Sequence, residues 1–110
     1  NNGSHLTMTC IAVRTAFAQE HPEAVENFLA DYAASVEAVN AEPAAAAVKI
    51  GELGIVEAAV AEKALPACNI VCITGADMQE KLSGYLQVLF DAAPDSVGGA
   101  MPGDDFYYGV

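Results

Sequence analysis

The 110-residue chain has no tryptophan, only four basic residues and only three cysteines. Four Lys and Arg against fifteen Asp and Glu leave a net charge of −11. That argues against a nucleic-acid backbone or an anionic membrane surface as partner, because both require clustered cations. No apolar run reaches the roughly 18 residues of a membrane-spanning helix. The first residues, from Asn1 to His5, hold neither a basic segment nor a hydrophobic run, so no signal peptide is visible. With no initiating Met, the chain is expected to be a processed or excised piece of something longer. The cysteines Cys10, Cys68 and Cys72 contain no CxxC pair, and His5 and His21 lack the i, i+4 spacing of helical zinc ligands. No metal or cofactor is expected. All three thiols are expected to be small buried hydrophobes; on a strand over 68–72, Cys68 and Cys72 would lie roughly 13 Å apart, too far for a disulfide.

What is present is apolar and mostly small. Hydrophobic residues make up 54% of the chain, with runs of alanine at 44–47 and 58–59 and aromatics held to 7%. At 11.3 kDa the chain allows a single small domain, and one of this size buries only about 60–70% of its unfolded surface. A partner surface would help it.

Residues 6–14 predict a strand, rich in Thr and β-branched side chains. Leu6, Met8, Cys10 and Ala12 share one face and Ile11 and Val13 the other, so both faces are expected to be covered, as inside an α/β sheet. A turn over 15–20 follows. Pro22, at a favoured first helical position, opens a helix over about 22–40, with Val25, Phe28, Leu29, Tyr32, Val36 and Val39 at helical spacing. Glu42-Pro43 opens a second helix that stops at Gly54, and a third covers about 56–64. Pro66 is expected to end it and to push Leu65 toward extended geometry, leading into a buried strand over 68–73. Thr74-Gly75-Ala76-Asp77 has the form of a capping box with Asp in place of Glu or Gln. It starts a helix with an apolar face of Met78, Leu82, Tyr85, Leu86 and Leu89, which ends by Pro94. Residues 95–110 are expected to form an irregular tail whose Phe106, Tyr107 and Tyr108 dock onto a surface.

The expected class is therefore α/β and helix-rich with two short strands, in the order strand, three helices, strand, helix, tail. Two strands do not make a stable sheet alone, so residues 1–110 are expected to be a single partial domain completed from elsewhere.

Catalytic signatures are missing: GxGxxG, GxxxxGK[ST], HExxH and GxSxG are all absent. A thiol nucleophile from Cys10 or Cys72 with His21, and an oxygen cluster for calcium at Asp104-Asp105, lack any supporting spacing. No catalytic residue is assigned, and the chain is not expected to be an enzyme. Arg14, at the end of the first strand, suits either a carboxylate or phosphate clamp or an ion pair with one of the acids.

Four stretches together resemble one protein family. They are Cys10-Ile11-Ala12-Val13-Arg14-Thr15-Ala16-Phe17, His21-Pro22-Glu23-Ala24-Val25-Glu26-Asn27-Phe28-Leu29, Ala61-Glu62-Lys63-Ala64-Leu65-Pro66-Ala67-Cys68-Asn69-Ile70, and Gly98-Gly99-Ala100-Met101-Pro102-Gly103-Asp104-Asp105-Phe106-Tyr107-Tyr108. In this order they look like the C-terminal third of bacterial ABC-transporter solute-binding proteins of the family that includes thiamine-precursor, nitrate, sulfonate and taurine binders. The resemblance implies the C-terminal portion of a lobe of a type II periplasmic-binding protein, a two-lobed clamp that closes on a small molecule. It implies an extracytoplasmic receptor, in the periplasm or membrane-anchored at the cell surface, that delivers its solute to an ABC permease without covalent chemistry. Most ligand contacts would lie in the portion N-terminal to this chain, leaving Arg14, Thr15 and Thr74 as the positions offered to ligand here. The alternative is an independent α-helical interaction or dimerisation module without a ligand. A homodimer or domain swap of the isolated piece is expected on the first reading, with a second copy replacing missing strands.

Overall fold

A computed structural model describes residues 5–110. Its regular structure among those residues is entirely helical, and this overturns the α/β class and both expected strands. The chain divides into two compact units, Val13–Cys72 and the residues up to 12 together with Ile73–Val110.

The central unit is built from α1 (Thr15–Glu20), α2 (Pro22–Ala41), α3 (Pro43–Glu52), α4 (Ala58–Ala64) and a 3-10 turn, Leu65–Ala67. Proline sets two of its boundaries. A residue preceding proline is crowded out of the helical region; accordingly His21 (φ −130°, ψ 58°) and Glu42 (φ −134°, ψ 71°) interrupt the helix, and Pro22 and Pro43 begin the next one. Residues 15–20, expected as a turn, form the short helix α1, because Ala16, Ala18, Gln19 and Glu20 carry no helix-breaking feature until His21. Helix α3 ends in a Schellman arrangement: Gly54 adopts φ +70°, and Gly54 and Ile55 N–H donate to the carbonyls of Gly51 and Ile50. The chain then reverses so that α4 packs on α3, and Ala47 of α3 and Ala61 of α4 are buried. Along α2 only Val25 is buried; Leu29, Tyr32, Val36 and Val39 are half-buried, and Phe28 stays exposed while stacking on Tyr32 at 5.8 Å.

Pro66 does not make Leu65 extended. Leu65 is helical (φ −52°, ψ −46°), and Pro66 sits in the first turn of the 3-10 segment, where a missing N–H costs nothing. The segment expected as a second strand fails for a local reason. Cys68 is helical (φ −75°, ψ −17°) and Asn69 is left-handed (φ 51°), so a ladder cannot begin there. Asn40 Nδ2 donates to the Ile70 carbonyl at 2.9 Å, taking one of the acceptors that a strand would have used.

In the other unit, α5 (Gly75–Ala92) carries its expected face of Met78, Leu82, Tyr85, Leu86 and Leu89, each half-buried. The capping box does not form. Thr74 stands at the N-cap but makes no side-chain hydrogen bond, Gly75 takes φ +64°, and Asp77 pairs with Lys81 instead. The C-terminal stretch contains 3-10 turns at Pro94–Val97 and Asp104–Phe106 and lies against α5. Of its three aromatics, Tyr107 is buried, Tyr108 is half-buried and Phe106 is 61% exposed.

Residues 6–13 lie in neither helix nor ladder, and no backbone hydrogen bond among the described residues engages them. The expectation that both faces would be covered is also overturned: Leu6 is 73% exposed, Met8 81% and Ile11 56%. A strand needs a neighbour to donate to. Asn69 removes the one that the sequence pattern offered.

Candidate functional site

Arg14 and Thr15 open α1, with Arg14 in extended geometry (φ −66°, ψ 134°) as its N-cap and its carbonyl accepting from Ala18 N–H at 3.0 Å. Both side chains are exposed, and no ion pair among the described residues engages Arg14. Thr74 stands at the start of α5, in the other unit, and is likewise exposed. The structure thus sets Arg14 beside Thr15 at one helix start and gives Thr74 a separate one.

At the corner between α1 and α2 lies a shallow depression of about 450 Å³ lined by Glu20, His21, Pro22, Glu23, Ala24 and Asn27. Every lining residue is exposed. His21 leans on the Phe17 ring at 5.0 Å, and its backbone N–H donates to Phe17 O at 2.8 Å, so the histidine serves as a hinge piece between two helices. A ligand here would remain largely in water, unlike one in a concave pocket.

The cysteines are free, but they are not the buried hydrophobes expected: Cys10 and Cys68 are exposed and Cys72 is half-buried. The reason is the absence of the strands that were to bury them. No hydrogen bond among the described residues joins Cys72 to His21. The described residues contain no group of three or more His, Cys, Asp and Glu side chains able to hold a metal ion, and Asp104 Oδ1 is occupied by Gln79 Nε2 at 2.9 Å.

One buried polar group does stand out. Tyr107 is 7% exposed, and its hydroxyl is enclosed without a hydrogen-bond partner among the described residues. Burial, reinforced by the nearby Asp104 carboxylate, raises its pKa above the ordinary phenol value. A phenol that stays protonated and unpartnered is poorly placed to exchange protons.

The most extensive unusual feature is uncovered surface. The buried apolar residues are Val25, Ala47, Ala61 and Tyr107. In the central unit Leu53 (74%) and Ile55 (71%) lie open at the α3–α4 turn, with Val48, Val56 and Val60 exposed nearby in the chain. In the other unit the open apolar residues begin with Leu6, Met8 and Ile11. Exposed apolar surface of this kind is a candidate interaction surface.

No family model matches the chain, and neither a curated protein nor a solved structure matches it. The candidate site is accordingly defined by its own physical features: an open apolar surface accompanied by unpaired backbone.

Proposed function

We propose that the chain is the C-terminal part of an extracytoplasmic solute-binding receptor that captures a small molecule and passes it to an ABC import permease. The observation that carries this reading is the exposed apolar side chains, above all Leu6, Met8 and Ile11 within the unpaired residues 6–13. A chain left this open is physically incomplete, and the four resembling stretches name the kind of protein that would complete it. On this reading the remainder of the receptor covers the open apolar residues and supplies most of the ligand contacts. Arg14, Thr15 and Thr74 lie on exposed helix starts, where such a remainder could bring ligand to them.

A second reading, a helical interaction module with no ligand, is favoured by one observation: the described regular structure is entirely helical. Both readings require a polypeptide partner, and they differ in what that partner is.

An antibody raised against this chain separates them in cells that make it. The receptor reading expects an antigen markedly heavier than 11.3 kDa, degraded when protease is added outside the intact cytoplasmic membrane, and recovered with a membrane permease after cross-linking. An antigen of this chain's own mass, protected inside the cytoplasm, would overturn it in favour of the module.

A further inference from the structure

We infer that residues 103–110 are a releasable strap, which closes over the first turns of α5 and swings away from them while α5 stays folded. The inference concerns one compact unit of the chain and stands independently of the receptor reading.

The path of the chain sets the strap in place. The 3-10 turn at Pro94–Val97 is fastened near the far end of α5, where Ser96 Oγ donates to the Leu89 carbonyl at 3.3 Å. Gly98 (φ 85°) and Gly99 (φ 86°) then take the left-handed backbone that favours glycine, and the chain runs back toward the helix start. It arrives at Gln79, whose Nε2 donates to Asp104 Oδ1 at 2.9 Å. It ends at Gly75, where an added Cβ would stand 3.8 Å from the Gly109 carbonyl oxygen. Leu89 and Gln79 lie about 15 Å apart along the helix, a span that the residues between Ser96 and Asp104 cover.

Three features weaken the hold at the helix start. No backbone hydrogen bond among the described residues joins 100–110 to α5. The bonds from Phe106 N–H to Gly103 O (3.1 Å) and from Tyr107 N–H to Asp104 O (3.2 Å) are internal to the strap. The Gln79–Asp104 tie is exposed, so water competes for both partners. The anchor is Tyr107, which is buried with its hydroxyl enclosed and unpartnered among the described residues. Burying the ring favours closure, whereas stripping the hydroxyl of water without a replacement hydrogen bond opposes it. Opening rehydrates that group. Phe106 and Val110, on either side of the anchor, are exposed and add little.

A segment held this thinly opens by itself, ahead of the element beneath it. Opening uncovers the first turns of α5, next to Thr74. The strap thereby controls access to the start of that helix.

The test is acetylation of tyrosine by N-acetylimidazole in the intact chain, mapped by mass spectrometry and set beside native-state hydrogen exchange. The enclosed Tyr107 hydroxyl reacts only when the strap is open. Expressed as open populations, access to Tyr107 should exceed opening of the α5 amides at 82–86 by about tenfold or more. Low urea that speeds exchange in α5 should leave the Tyr107 rate unchanged, because a local opening exposes little surface. Gln79→Leu removes the donor of the tie and should raise the Tyr107 rate about threefold or more with the α5 amides unaffected. Gln79→Lys restores a donor to Asp104 and should open no more than wild type. Tyr107 access that matches α5 opening and rises with urea in step with it overturns the inference, since only global unfolding would then expose the hydroxyl. So does a Tyr107 that reacts as fast as free tyrosine, or one indifferent to Gln79→Leu.

Discussion

Replacing Tyr107 by Phe should stabilise this protein, against the usual direction for removing a buried polar group. The hydroxyl is enclosed in a residue 7% exposed and has no partner among the described residues. Burying a polar group without a hydrogen bond costs about 1–3 kcal/mol relative to leaving it in water. The phenyl ring keeps the edge-on contact with Phe106 at 5.2 Å, so the packing is preserved and only the desolvation penalty is removed. The expected gain is about 1 kcal/mol, equivalent to a rise in Tm of about 4–8 °C for a domain of this size class. The same substitution should change the alkaline limb of the stability profile. Tyr107 ionises above the ordinary phenol value because burial, and then Asp104, disfavour the anion. Below pH about 10 the phenol is protonated whether the chain is folded or not, and it contributes no pH dependence. Above that pH the unfolded chain loses the proton first, so stability falls until the folded pKa is reached. Tyr107→Phe should flatten that fall. Paired thermal and urea unfolding by circular dichroism at pH 7 and pH 11 provides both readouts. A variant less stable than wild type at pH 7 would refute the reasoning, because it would mean that the hydroxyl holds a stabilising hydrogen bond.

Four further outcomes follow from named contacts. Gly51→Ala should destabilise the chain in urea unfolding by about 1 kcal/mol: a Cβ at Gly51 would lie 3.1 Å from Ala58 Cβ and 3.2 Å from its backbone N, and overpacking outweighs the gain in helix propensity. Ala47→Leu should cost about 1–3 kcal/mol in the same assay, since Ala47 is 1% exposed against the neighbouring helix. Thr74→Ala should cost less than the roughly 1 kcal/mol typical of a lost N-cap, because the Thr74 side chain makes no capping bond; a full loss would show that the cap forms in solution. In thiol labelling of the dilute chain, Cys10 and Cys68 should react before the half-buried Cys72, and the reverse order would contradict the exposures described.

The helices were legible in the sequence because their signals are local. Pro22 and Pro43 mark starts, Gly54 marks a stop, and the spacing of Val25, Leu29, Tyr32 and Val36 needs no distant partner to be recognised. Residues 6–14 and 68–73 were misread because strand propensity states only that a segment suits a ladder, and ladder formation depends on a neighbour. At Asn69 one left-handed residue cancels the pattern of four apolar residues that follows it, and composition alone does not announce which Asn will turn. Residues 15–20 were passed over because a six-residue helix has too few apolar positions to show a period. The site was least legible. Arg14, Thr15 and Thr74 are found on exposed helix starts, while the open apolar surface is visible only once burial is known. Alanine-rich helices signal it weakly, since small side chains bury little even where they pack, as at Ala47 and Ala61.

Hydrogen exchange of the backbone amides at residues 6–13, followed in the dilute intact chain, addresses the central claim most directly. If the segment is open, these amides exchange at nearly free-chain rates, while those in the middle of α2 and α5 stay protected. Strong protection of residues 6–13 in the dilute monomer would contradict the account, because the chain would then be satisfying its own backbone there.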